Sequence, residues 1–226
     1  MKRLLAGGSP ALSALLAIAV LAQAGFWYVA TPGPVLAGAE RSLPTALQAI
    51  AWSLVFLGLL PYLAARFGGF TLPRLGIALG DWRKGLITTG IAVAVVAPFL
   101  YFGAASPELQ ATYPWPGAWL HGAGRFVAWA GMYLVYYVAF EFFYRGFLLA
   151  VTSKAFGPSA GLWFQAFAAT LIHAGKPLPE FVLALPASLL FGYVVLRSKS
   201  LIWPILLHVA IGLLTDASVL IHTGGW

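Results

Sequence analysis

Long apolar runs, separated by short polar or Pro- and Gly-rich segments, dominate the chain. A helix that spans the hydrocarbon core of a bilayer needs about 20 mostly apolar residues. The pattern therefore predicts about seven transmembrane helices, with six to eight as the range. The predicted helices cover approximately residues 4–30, 44–65, 86–103, 125–156, 159–174, 180–196 and 201–221. We expect the aromatic residues of the Pro-rich loop 106–124, Trp115 and Trp119, at the membrane interface.

Composition supports a membrane protein. Hydrophobic residues make up 61% of the chain and charged residues 8%, whereas soluble domains carry about 25% charge. This excludes a soluble enzyme and a disordered protein, and the absence of cysteine excludes a disulfide framework or a thiolate nucleophile. The net charge of +7 forms no basic block, so we expect no nucleic-acid partner. The predicted fold is all-α, a polytopic membrane helical bundle forming one domain over residues 1–226, with membrane lipids as partners.

The distribution of basic residues predicts the topology. The start of the chain resembles a signal peptide, but its apolar run continues through Tyr28, so we expect a retained first helix. With a cytoplasmic N-terminus, nine basic residues lie inside and three outside, which fits the positive-inside rule. Seven helices then place the C-terminus outside a membrane that we expect to be a prokaryotic cytoplasmic membrane. The inside set is Lys2, Arg3, Arg66, Arg74, Arg83, Lys84, Lys154, Arg197 and Lys199; the outside set is Arg41, Arg125 and Lys176.

Ionisable residues inside the predicted helices are the candidates for function. They are Glu141, Arg145, His173, His208 and Asp216. Each costs at least about 2.5 kcal/mol at the bilayer centre, so its presence needs a reason. Glu141 and Arg145 lie four residues apart on one helix face, where they can pair. Either they neutralise each other as packing residues, or they belong to a site with the two histidines.

A carboxylate and two imidazoles in a partly dry site are suited to hydrolysis by two routes. Glu141 or His173 can act as general base on a water while His208 stabilises the oxyanion. Alternatively, Glu141, His173 and His208 can hold a divalent metal such as zinc that activates the water. The chain has no His-Glu-x-x-His metal motif and no Gly-x-Ser-x-Gly nucleophile motif. We expect no cofactor, with the metal left as the alternative.

The heptapeptide Phe140-Glu141-Phe142-Phe143-Tyr144-Arg145-Gly146 resembles the first motif of the CAAX protease and bacteriocin-processing family, also called CPBP or Abi. These proteins are intramembrane endopeptidases. The family motif is Glu-Glu-x-x-x-Arg, followed by a His near the end of the next helix and by His-x-x-x-Asn or Asp in a later one. The resemblance places Glu141, Arg145, His173 and His208 at family positions, within a motif-bearing core at about 125–221.

Two polar groups of the family pattern are replaced in this chain. The first Glu is Phe140, and the Asn or Asp four residues after His208 is Gly212. In the family, the first Glu is assigned to water activation together with the second-motif His. Three residues are candidates for supporting roles: Glu180 and Asp216 as substitute carboxylates, and Tyr137 as a hydrogen-bond donor one turn before Glu141. Structural roles for Glu180, at a helix N-terminus, and for Asp216 remain open alternatives.

We therefore predict an intramembrane endopeptidase that hydrolyses a peptide bond of a membrane-associated protein or peptide. Glu141 and His173 would activate water, His208 would stabilise the oxyanion, and Arg145 would hold Glu141. The alternative is a catalytically impaired family member that acts as a membrane scaffold or partner-binding protein. A transporter would also explain buried ionisable residues, but we find no inverted repeat to favour it.

Overall fold

The computed structural model describes residues 10–30 and 40–226, and their regular structure is entirely helical. Eight α-helical elements follow one another, two of which contain π-helical turns. They are α1 (Pro10–Ala30), α2 (Leu43–Phe67), α3 (Trp82–Gly103), α4 (Pro107–Thr112), α5 (Ala123–Phe156), α6 (Pro158–Leu171), α7 (Leu178–Ser198) and α8 (Ile202–Thr223). Two short 3₁₀ turns lie in the connections, at Leu72–Leu75 and Gly117–Leu120. The predicted all-α bundle is confirmed.

Six of the helices are long and apolar enough to cross a membrane, namely α1, α2, α3, α5, α7 and α8. The predicted fifth span, 159–174, corresponds to α6, which has only 14 residues. At 1.5 Å per residue α6 measures about 21 Å, less than the hydrocarbon thickness of about 30 Å. The six spans lie within the predicted range, but α6 is not a full span. Helix α6 ends at Leu171, and His173 lies in the turn that follows it.

Local sequence signals explain where several helices begin. The Ser42 side chain accepts a hydrogen bond from the Thr45 amide and begins α2 with a capping box. The Asp81 carboxylate accepts from the Lys84 amide at 3.1 Å and begins α3, and the Lys84 ammonium keeps the pKa of Asp81 below its usual value. Gly157, with φ of +93°, separates α5 from α6, and Pro158 follows as the first residue of α6.

The basic residues divide between the two ends of the bundle as predicted. At one end, the Asp81 and Leu201 amides donate to the Ser198 and Gly76 carbonyls, which joins the loop 68–81 to the connection between α7 and α8. This end, called the basic end below, carries seven basic residues, whereas the opposite end carries Arg41, Arg125 and Lys176. The seven are Arg66, Arg74, Arg83, Lys84, Lys154, Arg197 and Lys199. Lys2 and Arg3 lie outside the described residues. Which end faces the cytoplasm stays a prediction.

Helix α5 is the central element of the bundle. Most of its apolar stretch is buried, whereas the other spans present most of their side chains outward, where lipid would surround them. Aromatic side chains fill the core around α5, including Trp129, Tyr133 and Tyr144, which are fully buried. Trp115 is buried and packs edge-on against Tyr133 and Tyr136, so this part of the Pro-rich loop covers the core. The location of Trp115 and Trp119 at the membrane interface stays a prediction.

Two π-helical turns face each other in the middle of the bundle, at Leu54–Leu59 in α2 and Phe142–Leu148 in α5. A π turn widens the helix locally and shifts the register of the following side chains, and such turns are frequent at functional sites. The one in α5 begins immediately after Glu141 and contains Arg145. The widened turn therefore determines how the two charged side chains of the first motif face each other.

Substituting Gly80 by alanine tests the packing of the basic end. Gly80 has φ of +59°, and a Cβ there would collide with the Ser198 carbonyl oxygen. We expect Gly80→Ala to lower the free energy of unfolding by about 1–3 kcal/mol, because it adds backbone strain to the collision. Thermal unfolding in detergent measures this effect. The control is Gly90→Ala in α3, where a Cβ meets no atom within 4 Å and unfolding should not shift to lower temperature. Equal unfolding temperatures for the two variants would contradict the described packing.

Candidate active site

Glu141 is the centre of the candidate site. Its side chain is fully buried in the last α-helical turn of α5 before the π-helical segment. One carboxylate oxygen, Oε1, lies 2.6 Å from Nδ1 of His208 on α8, and Oε2 lies 3.2 Å from Nε of Arg145. The structure thus brings together three of the four residues predicted as catalytic. A buried carboxylate needs such partners, because an isolated one is strongly destabilised away from water.

Arg145 connects the site to α7. Its Nη2 donates a hydrogen bond of 3.1 Å to the Ser188 hydroxyl, and its guanidinium lies 5.2 Å from the centre of the Phe191 ring. Ser188 also accepts a hydrogen bond at its carbonyl from Nε2 of Gln165, at 2.9 Å. The contact between Arg145 and Glu141 is an ion pair without hydrogen-bond alignment, and Nη1 of Arg145 has no hydrogen-bond partner.

His208 is held in one orientation by aromatic rings. Tyr137 stacks on the imidazole at a centroid distance of 4.0 Å, and Phe140 and Phe191 meet it edge-on at 5.1 and 5.2 Å. Because Nδ1 of His208 faces the Glu141 carboxylate, Nδ1 carries a hydrogen and donates it. The other ring nitrogen, Nε2, does not face Glu141.

His173 lies in the turn that follows α6, where it is half-buried. Its Nδ1 is 2.7 Å from the Ala169 carbonyl oxygen, which can only accept a hydrogen bond. The proton of the neutral imidazole is therefore on Nδ1, and Nε2 keeps a free lone pair. A histidine with this tautomer can accept a proton at Nε2. Glu180, His208 and Lys176 are all close enough to interact with a charge on this imidazole.

Phe140 occupies the position next to both histidines. Its ring meets His208 at 5.1 Å and His173 at 6.4 Å, in both cases edge-on. It is buried against Tyr144 and Arg145 as well. At the point where the family motif has its first Glu, this chain therefore has an apolar ring between the two imidazoles.

Gly212, the other departure from the family motif, makes room for tyrosines. A Cβ at Gly212 would lie 2.7 Å from the Tyr137 hydroxyl oxygen and 2.8 Å from Cε1 of Tyr133. The Tyr137 hydroxyl thus stands where a longer side chain at position 212 would begin. Tyr137, predicted as a hydrogen-bond donor near Glu141, contacts the site through its stacking on His208 and its position against Gly212.

Glu180 belongs to a second polar cluster beside the first. It lies in the first turn of α7 and accepts a 2.8 Å hydrogen bond from the Tyr113 hydroxyl, which accepts one of 3.2 Å from Nζ of Lys176. The Lys176 ammonium also lies over the rings of Tyr113 and Trp115. Burial raises the pKa of Tyr113 and lowers that of Lys176, and the negative charge of Glu180 opposes the lowering at Lys176.

Asp216 lies farther along α8 and is fully buried. Its Oδ2 accepts a 2.8 Å hydrogen bond from Nε1 of Trp129, whereas Oδ1 lacks a partner at hydrogen-bond distance and angle among residues 10–30 and 40–226. Two tyrosines lie between it and the histidines, because Tyr133 packs on Tyr137 and Tyr137 on His208. No contact joins Asp216 to Glu141 or to either histidine among the hydrogen bonds and ion pairs of the described residues.

The metal alternative was based on Glu141, His173 and His208. Within residues 10–30 and 40–226, no three His, Cys, Asp or Glu side chains gather in an arrangement that could hold a metal ion. Glu141 and His208 are in contact with each other, while Nδ1 of His173 is directed at its own helix. Binding of zinc by these three residues stays a prediction.

Several residues around the site were not predicted. Ser188 and Gln165 position Arg145, and Tyr113 and Lys176 adjoin Glu180. Of these residues, Gln165 is the one that the sequence could have indicated, because a long polar side chain inside an apolar helix needs a partner. Ser188 resembles an ordinary small packing residue in sequence, and the partners of Tyr113 depend on how the loop 106–124 folds back.

The site lies in the part of the chain that matches a known family. Residues 122–214, about two fifths of the chain, match the family model described as type II CAAX prenyl endopeptidase Rce1-like. This part of the chain, called the Rce1-like segment below, is similar to that family. The comparison with curated proteins finds no match, and neither does the comparison with solved structures.

The resemblance predicted from the motifs is thus confirmed over the Rce1-like segment. That segment includes Glu141, Arg145, His173, Glu180 and His208, and it ends before Asp216. The protein is an integral membrane protein, and its residues 122–214 are similar to a CAAX-type protease family. The family supports an endopeptidase in general terms, with membrane lipid around the helices and a protein as substrate.

The ion pair within α5 predicts a specific pattern of stabilities. Arg145→Met leaves the buried Glu141 carboxylate with only His208, so we expect a loss of about 3–5 kcal/mol in unfolding free energy. The double variant Glu141→Gln/Arg145→Met removes both charges and should recover a large part of that loss. Unfolding in detergent measures both, with Arg197→Met, which changes an exposed arginine of α7, as control. If Arg145→Met unfolds like the Arg197→Met control, Arg145 does not pair with Glu141.

Proposed function

We propose that the protein is an intramembrane endopeptidase that cleaves a peptide bond of a membrane-associated protein or peptide. The observation that carries the proposal is that two imidazoles lie near each other and make different contacts. His208 is tied to the buried Glu141 carboxylate, and His173 keeps a free lone pair at Nε2. Both lie in the Rce1-like segment.

In this proposal His173 is the general base. Its Nε2 accepts a proton from a water molecule as the water oxygen attacks the scissile carbonyl carbon. The same nitrogen then returns the proton to the leaving amine, so no net proton is lost. The Ala169 carbonyl supports this role, because it holds the Nδ1 proton and stabilises the imidazolium that forms.

Glu141 acts through His208 and not directly on water. Both of its oxygens face partners, His208 on one side and Arg145 on the other. The carboxylate holds the His208 imidazole in place through Nδ1, and His208 in turn stabilises the oxyanion in the proposal. Arg145, held by Ser188, fixes the carboxylate, so it is a positioning residue.

Glu180 and Tyr137 compensate in the proposal for the two polar groups missing from the family motif. Glu180 is the carboxylate that adjoins His173 from the start of α7, and it would orient the water that Phe140 cannot hold. Tyr137 has its hydroxyl at the Gly212 backbone, beside His208, where it would add a donor to the oxyanion. For Asp216 we propose a structural role with Trp129.

The substrate is a protein or peptide attached to the membrane. A prenylated C-terminus, a peptide leader and a C-terminal sorting tail all present a peptide bond near the membrane plane. His173, which lies in the turn after the short helix α6, would receive this peptide bond. For the metal alternative, the donor set would be Glu141, His173 and His208.

A second candidate function is a catalytically impaired scaffold that binds a membrane partner. One observation favours it: the Phe140 ring is edge-on to both imidazoles and occupies the space beside them. In that case the Glu141 ion pair would serve only to hold α5, α7 and α8 together. The endopeptidase predicts that substitutions at the site abolish peptide cleavage. The scaffold predicts partner binding without peptide cleavage.

Cleavage of membrane-tethered candidate peptides by the purified chain in vesicles tests the endopeptidase. We expect His173→Ala and Glu141→Gln each to reduce the cleavage rate at least about 100-fold, because they remove the base and the support of the oxyanion donor. The matched controls are His222→Ala and Glu108→Gln, which change exposed residues of the same types at the opposite end to the basic one. They should cleave at close to the wild-type rate.

Stability is measured in parallel, so that loss of folding is not mistaken for loss of chemistry. His173→Ala removes one half-buried side chain, and we expect it to fold. Full cleavage by folded His173→Ala and Glu141→Gln variants would overturn the proposed mechanism. Absence of cleavage by the wild-type chain on all three substrate classes, with partner capture retained, would favour the scaffold.

A further inference from the structure

A pocket at the basic end adjoins the candidate active site through Arg145, which is one of its lining residues. It opens between the loop 68–81, the end of α5 and the end of α7. Its lining combines three exposed cations, two residues with unpaired polar atoms and an apolar wall. The lining residues used below are Arg74, Lys154, Lys199, Arg145, Ser153 and Phe70.

The pocket has an excess of positive charge. None of the described residues that line it is an Asp or a Glu. Arg74, Lys154 and Lys199 form no ion pair with any residue of 10–30 or 40–226. Lys154 contacts the pocket wall itself, because its ammonium lies 4.9 Å from the centre of the Phe70 ring. Three cations that converge without counter-charge favour an anionic ligand.

Polar atoms in the wall of the pocket also lack partners. Arg145, which is 3% exposed, contributes to the lining, and its Nη1 makes no hydrogen bond. The Ser153 hydroxyl oxygen is likewise buried without a partner. Buried donors are normally satisfied, so each of these needs a water or a ligand atom.

The backbone at Lys199 gives an independent indication. Lys199 caps α7 with φ of +59° and is the one non-glycine residue with a positive φ in the described chain. The equivalent cap of α8 is Gly224, with φ of +68°, which adopts this conformation without a steric penalty. At the end of α7 the chain carries a lysine where glycine would be less strained, and that lysine lines the pocket.

We propose that this pocket binds a phosphate group at the membrane surface. A phosphate offers several acceptor oxygens and a negative charge that the three unpaired cations Arg74, Lys154 and Lys199 can neutralise together. The phosphate belongs either to the headgroup of an anionic phospholipid or to a free phosphate-bearing ligand. Pockets of basic residues between membrane helices are suited to lipid headgroups, since cations near the surface attract anionic lipid. This inference does not depend on the proposed peptidase activity.

Binding of short-chain phosphatidylglycerol to the full chain in a neutral detergent tests the proposal. Native mass spectrometry or calorimetry gives the affinity. The pocket variant is Arg74→Gln/Lys154→Gln/Lys199→Gln. The control variant, Arg83→Gln/Lys84→Gln/Arg197→Gln, removes the same charge from the same end without touching the lining. At about fivefold per cation, we expect the pocket variant to bind on the order of 100-fold more weakly. The control variant should lose less than about threefold.

Two further probes identify what the pocket recognises. Short-chain diacylglycerol lacks the phosphate, and we expect it not to bind at the pocket. Millimolar inorganic phosphate that displaces phosphatidylglycerol would support the phosphate site with a free anion as its source. Failure of phosphate to displace a bound lipid would support it with the lipid as its source.

Several outcomes would overturn the proposal. They are equal losses in the pocket and control variants, equal binding of diacylglycerol and phosphatidylglycerol, and no binding of any probe. If the triple pocket variant does not fold, the single variant Lys154→Gln, at an exposed position of α5, replaces it. An unchanged affinity in that folded variant would count equally against the site.

Discussion

The buried carboxylate of Glu141 is the constraint on which the rest of the structure depends. It lies in the middle of α5 with no access to water, and it reaches His208 on α8 while Arg145 carries the connection on to Ser188 of α7. One charge therefore fixes the relation of three helices. Burying a carboxylate costs more free energy than a single surface contact contributes, so each partner must keep its position. The π-helical turn after Glu141 and the aromatic rings around Arg145 and His208 serve this requirement.

The two departures from the family motif are understandable from the same geometry. Phe140 replaces a second carboxylate that would otherwise lie next to Glu141 and repel it, and its ring holds both imidazoles edge-on. Gly212 gives up a polar side chain, and the Tyr137 hydroxyl takes the space. In each case an aromatic side chain of α5 replaces a polar group. The polar residues that remain at hand, Glu180 and Lys176, come from the turn after α6 and the start of α7.

Sequence reasoning predicted what depends on local pattern. The apolar runs gave the helices within a few residues, and the i, i+4 spacing predicted the pairing of Glu141 with Arg145. What it could not predict depends on long-range packing. The burial of Trp115 follows from a loop folding back over α5, and the end of α6 at Leu171, three residues before the predicted one, is not marked by any change in the apolar pattern there. The choice of Glu141 as partner for His208, 67 residues away, is likewise a property of the folded bundle.

A double-mutant cycle on Glu141 and His208 tests the central interaction most directly. The unfolding free energies of wild type, Glu141→Gln, His208→Gln and the double variant are measured in the same detergent at neutral pH. We predict a coupling energy of about 1–3 kcal/mol, because the carboxylate and the imidazole share a short buried hydrogen bond. Effects that add to within about 0.5 kcal/mol would mean that the two residues do not interact. Glu141 would then not connect α5 to α8, and the proposed role of His208 would lose its basis.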